Sequence, residues 1–124
     1  MEYRELGKTG LQISSICLGT MNFSNPVSEG DSIKMLHWAL DSGINFIDTA
    51  DVYSRWADGN EGGESEKIIG KWMKERQVRD KITLATKVGS DMGQGQKNIS
   101  KNYILKAFSY LPLRVLLQKN MQIS

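Results

Sequence analysis

The feature that most constrains this chain is an alternation of short apolar runs with longer segments whose apolar residues recur at helical spacing. Ile16-Cys17-Leu18-Gly19-Thr20 is a short apolar run closed by glycine. Asn45-Phe46-Ile47-Asp48-Thr49 is a second, and the β-branched run Lys81-Ile82-Thr83-Leu84-Ala85-Thr86-Lys87 is a third. All three predict buried strands. Between the first two, Ser28 to Ser42 places Ile33, Leu36 and Leu40 on one face, with Met35, Trp38 and Ala39 widening it. Ser28 with Asp31 imitates a capping box, and Gly43 is a stop. Glu64 to Arg76 predicts a second helix burying Ile68, Ile69, Trp72 and Met73. Ser100 caps a third, with Ile104, Leu105 and Phe108 on one side. Ahead of these, Tyr3 to Ile16 turns at Gly7-Lys8-Thr9-Gly10 and predicts a β-hairpin.

After the hairpin the order is therefore βαβαβα. Each helix is long enough to cross back over a parallel sheet. Strands beginning near Ile16, Asn45 and Ile82 suit an α/β fold: a β/α barrel, a doubly wound sheet, or a piece of either. Pro112 interrupts the third helix, because proline removes a helical hydrogen bond and clashes with the preceding turn. Leu113-Arg114-Val115-Leu116-Leu117 has no clear partner element, and no fourth strand precedes Ser124. A full barrel takes roughly 250 residues, so three βα units leave it unclosed. Open edges on the first and third strands predict self-association.

Composition narrows the function classes. Apolar residues make up 40% and charged residues 24%, a soluble globular balance. Net charge is +2 with Lys and Arg spread along the chain, which argues against a nucleic-acid or anionic-membrane surface. No stretch approaches the about 18 apolar residues of a membrane span, and Met1 to Glu5 carries no secretory signal. The single cysteine, Cys17, lies between Ile16 and Leu18 and reads as a small buried apolar residue. A reducing, cytoplasmic setting follows. No residue set is assigned to a metal.

Polar groups collect at the strand ends: Asp48 on the second strand, Tyr53 just beyond it, Lys87 ending the third. In parallel α/β folds these C-terminal ends form the reactive face. A phenol titrates near pH 10, too high for easy proton donation at neutrality. A nearby ammonium favours the phenolate and lowers that value, and a carboxylate keeps the buried ammonium charged. An Asp–Lys–Tyr chain is thus a tuned general acid for reducing a carbonyl. Hydride would reach carbon as the tyrosine proton reaches oxygen, and with no hydride carrier among the side chains a nicotinamide is required. Spacing alone also allows a loop cap, a half-buried loop aromatic and a solvated strand end. Trp56 on the following loop either lines a substrate pocket or packs against its loop. Gly93-Gln94-Gly95 lacks the third glycine of a dinucleotide loop and reads as a connection.

From residue 3 to about 107 the sequence resembles the aldo-keto reductases. Tyr3 to Leu11 resembles that family's opening hairpin, which closes the barrel floor. Leu18-Gly19-Thr20-Met21 resembles its first strand and cofactor contact. Asn45 to Tyr53 resembles the signature around its catalytic aspartate and tyrosine, and Ile82 to Val88 the strand with its lysine. Gly63-Glu64-Ser65-Glu66 with Ile69-Gly70 matches the start of its second helix.

The resemblance implies the N-terminal part of an eight-stranded β/α TIM barrel using NADPH on a small-molecule carbonyl substrate. Tyr53 would be the proton donor, Lys87 its pKa partner and Asp48 the lysine's counter-ion. Gly19, Thr20, Met21 and Asp48 would lie along the nicotinamide ribose. The family's fourth catalytic residue is a histidine ending strand four. The only histidine here, His37, falls in the first helix and is assigned a structural role. The family likeness stops where Phe108-Ser109-Tyr110-Leu111-Pro112 begins, a pattern expected of a shifted reading frame or premature stop. The coding DNA tests that: a shifted frame encoding a polar helix and a fourth strand supports it, and the lack of one overturns it. An inactive chain, a non-catalytic binding protein like the family's potassium-channel β subunits, and a gene relic stay open as alternatives.

Overall fold

The computed structural model describes residues 1–110. Strand β1 (Tyr3–Glu5) pairs antiparallel with β2 (Gln12–Ser14). Their turn uses Gly7 and Gly10 at positive φ, where a side chain is penalised. Three parallel strands follow: β3 (Cys17–Gly19), β4 (Phe46–Ala50) and β5 (Thr83–Lys87), in the order β3-β4-β5. Helices α1 (Glu29–Asp41) and α2 (Glu64–Arg76) are the two crossovers, and α3 (Lys101–Tyr110) comes after β5. The result is α/β, a hairpin and three βα units, with the sheet open among the described residues.

The hairpin is tied beneath the sheet by Asn45, the residue before β4. The Asn45 side chain accepts from the Ser14 N–H at 2.7 Å and donates to the Gln12 carbonyl at 2.9 Å. The Tyr3 hydroxyl donates to the Gly43 carbonyl at 2.8 Å. These contacts lie at the N-terminal end of β4, the end remote from Asp48.

Strand alternation sorts the residues by face. Gly19 pairs with Asp48, Asp48 with Ala85, and Ala50 with Lys87, so these share one face. Leu18, Ile47 and Leu84 share the other and pack against the core. Trp72, Ile69, Ile68, Met73 and Leu36 complete that core from the helices. The contribution of α2 is the one its sequence predicts.

Helix α1 begins as expected: the Asp31 N–H donates to the Ser28 hydroxyl at 3.1 Å, and that hydroxyl donates to the Asp31 carboxylate at 2.9 Å. Its buried face is narrower than the apolar pattern predicts. Leu36 and Ala39 are buried, but Met35 is exposed and Trp38 is 68% exposed, because α2 covers only part of the stripe. Cys17 is also a correction. It is exposed on the open face, in register with Phe46. Burial of part of the thiol and the negative charge of Asp48 raise its pKa, so it is a weak nucleophile even though accessible.

Strand β5 begins later than the apolar run because Arg79–Lys81 form a 3₁₀ turn. The Tyr103 N–H donates to the Ser100 hydroxyl at 3.3 Å, the predicted cap of α3, while Leu105 is exposed. The Phe108 side chain, Pro112 and the run Leu113 to Leu117 lie outside the described residues.

Candidate active site

The three residues singled out for acid catalysis meet at one rim. Asp48 sits within β4, and the loop after β4 turns immediately, with Tyr53 N–H donating to the Ala50 carbonyl at 3.3 Å. That turn folds the Tyr53 phenol back over the strand end. Its hydroxyl donates to Asp48 Oδ2 at 3.1 Å. Lys87 ends β5, and its Nζ lies 5.3 Å from the centroid of the Tyr53 ring, a cation–π distance.

This geometry corrects the expected electrostatics in two respects. Lys87 approaches the ring face, not the hydroxyl, and among the described residues it makes no ion pair with Asp48. The Tyr53 pKa is raised rather than lowered: burial disfavours the phenolate, and the hydrogen bond to the Asp48 carboxylate and its negative charge add to that. A phenol donating to a carboxylate is held in its protonated form.

Lys87 faces a second carboxylate that the sequence did not single out. Burial raises the pKa of Asp51, while the Val52 N–H and the positive charge of Lys87 pull it back. The Asp51 N–H donates to the Lys87 carbonyl at 3.2 Å, joining the two backbones. Asp51 Oδ1 is buried without a hydrogen-bond partner.

Of the residues expected beside a nicotinamide ribose, Gly19 and Met21 are exposed and Asp48 is half-buried. A Cβ built on Gly19 would meet nothing within 4 Å, so the space above this rim position is open. Thr20 is different. It is fully buried, with its hydroxyl bonded to Ser65 of α2 on the helix side of the sheet.

The Thr20 hydroxyl belongs to a buried network instead. It donates to the Asp48 carbonyl at 2.9 Å, and its N–H donates to the same oxygen at 3.1 Å. The Ser65 hydroxyl donates to Thr20 Oγ1 at 2.7 Å, and Ser65 and Thr49 hydroxyls lie 3.1 Å apart. Each hydroxyl has one proton. Thr20 commits its proton to Asp48 and Ser65 commits its own to Thr20, so Thr49 donates to Ser65. Beside this relay the Thr86 hydroxyl donates to Glu66 Oε1 at 2.5 Å.

A sequence signal for this network existed. Ser65 and Glu66 occupy the helical stripe that continues into Ile69, Trp72 and Met73, so polar residues stand where the pattern demands burial.

The loops at the same rim carry Trp56, exposed at 55%. Gly93 and Gly95 N–H groups donate to Asp91 Oδ1 at 2.9 and 3.1 Å, closing their loop locally. His37 lies between α1 and α2, edge-on to Trp72 with ring centroids 6.1 Å apart and in contact with Arg76. That is a structural position, far from the rim. Among the described residues no helix is long and apolar enough to cross a membrane. No group of three His, Cys, Asp or Glu among them could hold a metal ion.

Three βα units with a carboxylate, a phenol and an amine at their C-terminal rim suit an oxidoreductase kind of site. Comparison with known proteins agrees. Residues 15–110 match the model of the Aldo/keto reductase family, and the chain belongs to that family. It is 53% identical over 93 residues to an uncharacterized 11.2 kDa protein of Pseudescherichia vulneris, covering 74% of this chain and 90% of that relative. It is 49% identical over 89 residues to the uncharacterized oxidoreductase YrpG of Bacillus subtilis, covering 71% of this chain and 26% of that relative. In three dimensions it is similar to the holo form of an aldo-keto reductase from Bacillus halodurans, with a TM-score of 0.71 and 34% identity. That match covers 92% of this chain and 36% of the solved one. The chain therefore spans 26% and 36% of these two longer relatives and most of the short one.

Proposed function

We propose that this chain supplies the proton-donating half of an NADPH-dependent carbonyl reductase site, with Tyr53 as donor. The observation that carries the reading is the convergence of Asp48, Tyr53 and Lys87 on the open rim. When bound, the nicotinamide supplies hydride to the carbonyl carbon. The residues fit its ribose end: Gly19 leaves space beside the Asp48 carboxylate, an acceptor for a ribose hydroxyl.

Tyr53 has one hydroxyl proton, and it points to Asp48 Oδ2. Donation to a substrate oxygen requires the phenol to exchange that acceptor for the carbonyl. Lys87 is close enough to stabilise the phenolate that remains. The O–H bond of tyrosine breaks, an O–H bond on the product forms, and the carbonyl becomes an alcohol. The substrate is a small aldehyde or ketone, and the setting is the cytoplasm.

The test is NADPH consumption with a panel of aldehydes, for the chain itself and for a chimera carrying residues 15–110 in place of the matching segment of the Bacillus subtilis relative. With its inner face open, the chain alone should turn over little. The chimera should be active, and Tyr53→Phe should lower its rate by about 10² to 10⁴-fold. A chimera indifferent to Tyr53→Phe overturns the reading.

Binding rather than catalysis is the second reading, favoured by one observation. Strands β3 and β5 each pair on one side only among the described residues. Unpaired edges template association, so self-association belongs to this proposal. A monodisperse monomer in sedimentation would remove it.

A further inference from the structure

We propose that Ser65 and Glu66, consecutive residues in the first turn of α2, are positioning residues that hold Asp48 and Lys87 at the rim from behind the sheet. The inference rests on the proton-donor role assigned above to Tyr53.

The connections are direct. Ser65 reaches the Asp48 carbonyl through Thr20, and it also holds Thr49, the residue after Asp48. Glu66 holds Thr86, the residue before Lys87. Both strand ends are thus gripped on the helix side while their charged neighbours point to the open side. Thr20, Thr49 and Ser65 are fully buried, and Glu66 is 3% exposed.

Why place polar groups there at all? Lower down, the same helix meets the same strands through Ile68, Ile69, Trp72, Ile47 and Leu84. Apolar contact suffices to dock α2, and a buried polar layer is the less stable choice unless every member is satisfied. Among the described residues this hydrogen-bonded layer lies at the level of the rim. Hydrogen bonds are directional where apolar contacts are not, so they fix the height and separation of two strand ends. A tyrosine that must change acceptors within about 3 Å needs that constancy.

The test uses the whole chain with ¹³C-labelled tyrosine, following each phenol by NMR as pH rises. Ser65→Ala cuts the link from α2 to Thr20, and Thr20→Val leaves only the Thr20 N–H on the Asp48 carbonyl. With Asp48 less firmly held, the Tyr53 midpoint should fall by about one pH unit. Tyr3 and Tyr103 should stay in place, and Ser65→Thr should restore Tyr53. In Glu66→Ala the Lys87 ε-methylene protons, shifted by the Tyr53 ring, should move towards free lysine. Glu66→Gln keeps an acceptor for Thr86 and should leave them unmoved. An unchanged Tyr53 or Lys87 signal in the folded variants overturns the proposal. So does a shift shared by all tyrosines, or unfolding of both Ser65→Ala and Thr20→Val, since each marks a merely structural network. None of these readouts needs turnover. An inactive chimera counts against the reductase reading alone, and an active one with a static Tyr53 counts against positioning alone.

Discussion

The Tyr53 hydroxyl donates to Asp48 Oδ2 at 3.1 Å, so the proposed donor is found with its proton committed to a neighbouring carboxylate. The resting site is therefore closed in a chemical sense. A substrate oxygen must out-compete Asp48 for one proton.

That relationship carries a pH signature. The folded Tyr53 pKa lies above the ordinary value of about 10, through burial and through Asp48. The stability this contributes is fully present below about pH 10 and is lost as pH rises through the folded value. Asp48→Asn should bring the Tyr53 midpoint down and flatten the alkaline loss of thermal stability. The midpoint is read by tyrosine NMR; a value that stays put shows that Asp48 has no part in it.

Glu66 gives the acid-side counterpart. Burial raises its pKa and the negative charge of Asp51 raises it further, against the lowering effect of the Thr86 hydroxyl. Folding thus moves its titration upwards. The associated stability is full below about pH 4.3 and falls as pH rises through the folded value. Glu66→Gln should melt higher than the native chain at pH 7, with the gap narrowing towards pH 4. Equal melting at both pH values would remove the buried charge from the account.

The core has a measurable centre. Trp72 is fully buried in α2 and meets His37 edge-on. Trp72→Ala should cost about 3–5 kcal/mol by loss of transfer energy and cavity formation. Urea unfolding measures it, and a loss under about 1 kcal/mol would mean that the helix–sheet layer is not the core.

Gly43 is a backbone test. Its φ is +86°, and an added Cβ would stand 3.0 Å from the Tyr3 hydroxyl and 3.1 Å from the Met1 Cβ. Gly43→Ala should cost about 1–2 kcal/mol from the left-handed conformation alone, and it should loosen the hairpin from the sheet. Unchanged amide exchange at Ser14 and Asn45 would contradict that.

The sequence made the elements legible where pattern and packing coincide. Helix α2 has its predicted bounds because its charged and apolar residues separate cleanly around the cylinder. The rim was legible because Asp48 and Lys87 lie in strand-like runs and Tyr53 just beyond one. What was hidden depended on neighbours. Met35 and Trp38 extend an apolar stripe that no element covers among the described residues. Thr20 reads as a ligand contact until strand alternation turns it to the helices. The approach of Lys87 to the Tyr53 ring, rather than to its oxygen, is set by how the β4–α2 loop folds back, and no local spacing encodes that.

Strand β5 pairs with β4 along five positions, from Thr83 opposite Phe46 to Lys87 opposite Ala50. A slip of a single residue would turn Leu84 out towards the open face and replace the ammonium at the rim with the threonine hydroxyl of Thr86. The hydrophobic contact that keeps Leu84 inside is thus also a clamp on charge placement. The packing of the interior and the position of the cation are set by one and the same alignment of two strands.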